Sequence, residues 1–158
     1  MFMEFLLFQR RHTYVVDRPF DQVQTRLNWI VTRRWDDLSM DLIGKLDKND
    51  GRFNLTSKWG LTNIKWIENN PAYILGELQP DEVGTNIKIT TKPNRLLVAL
   101  FYITVFAFAI ELAGLESMVQ LAKNIKIAFT ATLGFICLLL IILFSNGLKK
   151  RFEQLMQI

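Results

Sequence analysis

Glu111 is the residue of this chain whose type and placement most invite chemistry: a carboxylate inside an otherwise apolar run that begins at Leu96. A charge at mid-bilayer costs roughly 2.5 to 3.5 kcal/mol, so an intramembrane acid is a functional hypothesis by default. Sixteen residues separate it from Arg95, which at 1.5 Å per residue places it about 24 Å along a helix, near the far edge of a ~30 Å hydrocarbon layer. The expectation is therefore a carboxylate that reaches headgroups or pairs with Lys123 or Lys126, rather than a proton relay. The other candidates are sparse. His12, the single histidine, adjoins Arg10 and Arg11 at the start of a strand and reads as a surface or sheet residue rather than a catalytic base. Asp36, Asp37 and Asp41 sit where a helix should turn into a strand, a place where carboxylates are commonly just solvated. Cys137 is alone, which excludes an intrachain disulfide and a zinc site built on thiolates. No Gly-rich phosphate loop, nucleophile elbow or His-Glu-x-x-His pattern is present. The expectation is a non-enzymatic protein with no catalytic, cofactor-binding or metal-binding residues and no cofactor.

Hydropathy positions these residues. Ile127 to Phe144 runs eighteen residues without a charge, twelve of them Leu, Ile or Phe, the composition of a helix that crosses a bilayer. The earlier run holds eleven strongly apolar residues between Leu96 and Leu112. Two spans, at about 96–115 and 126–145, thus form a hairpin over 95–146 behind a polar domain at 1–94, with an amphipathic helix at 147–158. Asn146-Gly147 stops or bends the second helix, and Leu148, Phe152, Leu155 and Met156 share one face of the tail. That face must bury on the membrane, on the polar domain or on a second copy. Docking on the polar domain is expected, because the hairpin returns the chain to the same side of the membrane only a few residues from Pro93.

Arg95 precedes the first span, and Lys149, Lys150 and Arg151 follow the second, while the link between spans is electrically neutral when Glu111 is counted with Glu116, Lys123 and Lys126. The positive-inside rule then puts both termini in the cytoplasm. Phe2 to Phe8 is apolar but is followed, not preceded, by its basic residues, the wrong order for a secretory signal. Residues 1–95 carry fourteen Lys and Arg against twelve Asp and Glu, a balance too even for a nucleic-acid partner. The expected partners are the lipid bilayer and a second copy or another membrane protein.

Within the polar domain the fold class reads as α+β, one helix packed on an antiparallel meander. Thr13 to Val16 is a strand candidate. Pro19 opens a helix with Phe20, Val23, Leu27 and Ile30 on one face, ending by Trp35. Alternation over 38–46 and 53–59 around Asn49-Asp50-Gly51 predicts a hairpin, and further strands are expected at 63–67, 72–78 and 85–91. Trp29, Trp35, Trp59 and Trp66 all fall in this domain, mostly as core. Trp59 and Trp66, near strand ends, are the candidates for a partner or ligand surface.

The order strand, VVDRPFDQV entering a helix, meander, and late helix LKKRFEQLM resembles the helix-grip layout of START-like domains, with a membrane hairpin inserted before the last helix. The run from GRFNLTSKW through PAYILGEL and GTNIKITTKPN into two spans also resembles uncharacterised small bacterial membrane proteins with an N-terminal β-rich domain. That second resemblance implies a bacterial inner-membrane location and offers no function to transfer. The first implies a lipid or another hydrophobic ligand. The expected function is a membrane-anchored cytosolic binding or interaction module; the alternatives are an oligomeric pore or transporter-associated subunit built from the hairpins, and a helix-grip lipid binder.

Overall fold

The computed structural model describes residues 6–32, 42–48, 50–57, 70–114 and 122–158. Five antiparallel strands, β1 (Arg10–Val16), β2 (Leu42–Leu46), β3 (Arg52–Ser57), β4 (Ala72–Pro80) and β5 (Thr85–Pro93), form one sheet in the order β1-β5-β4-β3-β2. β2 to β5 are a meander, and β1 adds beside β5 with Tyr14 opposite Ile87. Helix α1 (Phe20–Thr32) lies between β1 and β2 in sequence. Two apolar helices complete the α+β fold: α2 (Arg95–Leu112) and α3 (Lys123–Met156), each long and apolar enough to cross a membrane.

Alternation decides which face of the sheet is covered. Thr85, Ile87, Ile89 and Thr91 of β5 are buried, and their neighbours Asn86, Lys88, Thr90 and Lys92 are more open. One buried-side row crosses the whole sheet in register: His12, Ile89, Gly76, Phe53, Leu46. Val23, Leu27 and Ile30, spaced three and four apart on α1, close over this face and are at most 2% exposed. Each such side chain contributes roughly 1.5 to 3 kcal/mol on burial. Gly51, at φ 64°, takes the left-handed conformation that the β2–β3 turn requires.

Three differences from the sequence reading have physical reasons. The second span and the tail are one helix, since α3 continues from Lys123 to Met156 through Asn146-Gly147. A glycine costs a helix only about 1 kcal/mol, less than the tail gains by burial. The first span ends at Leu112, with Ala113 as its C-cap and Gly114 at φ 73° making the turn. Trp29 is 37% exposed, with the Arg26 guanidinium 5.2 Å above its ring, and so lies on the outside of α1. The expected strand at 63–67, Trp35, Trp59, Trp66 and the Asp36, Asp37 and Asp41 group fall outside the described residues.

α2 and α3 pack antiparallel. At mid-hairpin Gly134 faces Thr104, whose Oγ1 would lie 3.2 Å from a Cβ added at the glycine. A small residue there allows close backbone approach and van der Waals contact between the helices. Thr104 Oγ1 donates to the Phe101 carbonyl (2.7 Å), and Thr130 Oγ1 to that of Lys126 (2.9 Å), so both hydroxyls are satisfied on their own helices.

Candidate functional site

α3 outruns its partner. Thirty-four residues against eighteen leave an overhang of roughly 20 Å beyond the start of α2, and that overhang lies on the sheet. Leu148, Phe152 and Met156, four residues apart, are 3%, 0% and 3% exposed and belong to the same core as Leu27, Leu55, Ile74 and Ile87. Leu155 packs against the edge of this core. The Phe152 ring stacks on Phe53 at 5.7 Å. Gly76 is what permits it, because the Phe53 ring covers the position a Cβ would occupy there.

A polar seam flanks the apolar contact. Period-two geometry puts Arg10, His12 and Tyr14 of β1 on the helix side, and helical spacing brings Asn146, Lys149 and Glu153 of α3 opposite them. Arg10 Nη1 donates to Asn146 Oδ1 at 3.1 Å, and the Tyr14 hydroxyl donates to Glu153 Oε1 at 2.7 Å. Lys149 Nζ lies 3.4 Å from Glu153 Oε1. Burial, then the hydrogen bond and charge of Glu153, push the Tyr14 phenol above its usual range. Burial and the Lys149 ammonium hold the His12 imidazole below its ordinary value of 6.5, against a smaller opposing pull from Glu153.

The end of α3 is clamped by cations from the other side. Arg26 Nε donates to the Leu155 carbonyl at 3.2 Å, and Arg18 Nη1 to that of Met156 at 3.4 Å. These are carbonyls the helix leaves unsatisfied, and a guanidinium there also opposes the negative end of the macrodipole. Gln157, at φ 60°, terminates the helix with its N–H on the Glu153 carbonyl.

The remaining residues picked from the sequence are placed as follows. Glu111 is 8% exposed, its Oε1 lying 3.9 Å from Lys126 Nζ at the far end of the hairpin. Arg95 is exposed at the first turn of α2, Lys150 is exposed, and Arg151 is half-buried at a groove beside Ser57 and Ala72. Sequence reasoning missed the N-terminal segment: the Tyr102 hydroxyl donates to the Leu6 carbonyl at 2.7 Å, and Phe8 meets Phe101 edge-on at 5.4 Å. The apolar character of Phe2 to Phe8 was the available signal. It also missed the seam, for which the alternation of Arg10, His12 and Tyr14 was a signal without a visible partner.

Among the described residues no group of three His, Cys, Asp or Glu side chains is placed to hold a metal ion. The arrangement joins the apolar end of α3 to the sheet through one continuous helix, held there by an apolar and a polar contact. Compared with protein-family models, curated proteins and solved structures, the chain has no significant match, so its function rests on its own geometry.

Proposed function

We propose that this chain is an inner-membrane protein whose cytosolic α+β domain is a binding module held at the bilayer, and coupled to it, by the hairpin. One observation carries the reading: α3 is a single helix from Lys123 to Met156, apolar enough to span at one end and buried in the sheet core at the other. Both termini then lie on the cytoplasmic side, in keeping with Arg95, Lys149, Lys150 and Arg151 at that boundary.

The lateral surface of the hairpin favours an anchor over a pore wall. Ile103, Phe106, Phe129, Phe135 and Leu143 are 60–68% exposed, which suits acyl chains, whereas Thr104 and the Glu111–Lys126 pair are turned inward between the helices. Phe152, Leu27 and Ile74, each 0% exposed, pack the interior between the sheet and its helices, which supports this reading over a helix-grip lipid binder.

Topology reporters fused after Ile158 and placed in 115–121 test the reading. A cytoplasmic signal from the first and a periplasmic one from the second are expected. A periplasmic C-terminus would overturn it.

A further inference from the structure

On the sheet face opposite α1 and α3, a cleft of about 400 Å³ opens where β5 passes into α2. Its floor is Asn54, Tyr73 and Leu75, which alternate with the buried residues of β3 and β4. Its rim is Lys92 and Arg95, and Leu7 and Val98 form an apolar wall. Among the described residues no carboxylate pairs with either cation. The wall is fixed in place, because the neighbouring Leu6 and Phe8 are tied to Tyr102 and Phe101, one to two turns into the first span.

We infer that this cleft seats the headgroup of an anionic phospholipid from the cytoplasmic leaflet. The inference rests on the membrane reading, since only a bilayer boundary near Arg95 brings headgroups to this level. Charge complementarity selects the occupant: two cations at the rim meet a phosphodiester that carries a further negative group or no compensating amine. The apolar wall selects a lipid over a soluble phosphate, because Leu7 and Val98 adjoin the glycerol and upper acyl carbons of a seated lipid and offer a free anion nothing. Asn54, Tyr73 and Gln9 bring hydrogen-bonding groups to the same cleft, and its volume lies within the usual range for small-ligand sites.

The test uses the full-length protein reconstituted in phosphatidylcholine vesicles with trace spin-labelled phosphatidylglycerol or spin-labelled phosphatidylcholine, reading the fraction of each label that is motionally restricted. The wild type is expected to prefer phosphatidylglycerol, by up to roughly thirtyfold for two cations near the surface. Lys92→Gln with Arg95→Gln is expected to abolish most of that preference. Lys45→Gln with Lys48→Gln removes the same charge from exposed positions outside the cleft and is expected to retain it. Equal selectivity for the two lipids in the wild type, equal loss in both double variants, or displacement of the labelled lipid by inorganic phosphate overturns the inference while leaving the membrane reading intact. Failure of the wild type to float with vesicles overturns that reading, and the inference with it.

Discussion

The rings of Phe53 and Phe152 lie 5.7 Å apart and within 16° of parallel, joining a strand of the sheet to the last turns of the long apolar helix that begins at Lys123. Phe152 is fully buried, so the contact is structural for both elements. Replacing it with alanine is expected to cost about 3 to 5 kcal/mol, a large part of a typical domain stability of about 5 to 15 kcal/mol. Thermal unfolding of the purified full-length protein, followed by amide exchange in β3 and β4, checks this. Unchanged protection in those strands would show that the tail is not part of their core.

Gly147 sits inside α3 with nothing within 4 Å of where a Cβ would be. Gly147→Ala therefore gains helix propensity without a clash and is expected to stabilise the protein by roughly 0.5 to 1 kcal/mol. A drop in melting temperature would show that the helix bends at this point in solution.

His12 is held below its ordinary pKa of 6.5, so the native state binds this proton less readily than the unfolded chain. Its neutral form contributes stability that is present above about 6.5 and is lost as pH falls through the folded value. A titration midpoint below 6.5 is expected for the imidazole resonance, which is unambiguous because the chain has one histidine. His12→Asn should flatten the acid limb of the melting profile. A midpoint at or above 6.5 would contradict the seam geometry.

Gly134 meets Thr104 where the two apolar helices approach, and Cys137, one turn on, is only 2% exposed. Gly134→Leu is expected to separate the helices at a cost of about 1 to 3 kcal/mol. Faster maleimide labelling of Cys137 in detergent is the readout. An unchanged labelling rate would place the hairpin contact elsewhere.

Much of this was legible in the chain itself. Local periodicity marks an element wherever one face is dry and the other wet, so Val23, Leu27 and Ile30 announced α1 and the alternation in 85–91 announced β5 before any partner was known. Apolar length marks α2 and α3 in the same way, as two helices long and apolar enough to cross a bilayer. The apolar face of Leu148, Phe152, Leu155 and Met156 was equally readable.

Tertiary structure decided what those faces meet. Asn146-Gly147 reads locally as a stop or a bend, yet the helix runs through it, since burial of Leu148, Phe152 and Met156 outweighs the small propensity penalty of one glycine. Only register reveals that the missing side chain of Gly76 makes room for the Phe53 ring on which Phe152 stacks. The bond from Tyr14 to Glu153 joins residues 139 apart, as the cleft joins Leu7 to Lys92 and Arg95. Spacing along a chain carries no information about partners brought together only by sheet register and helix length.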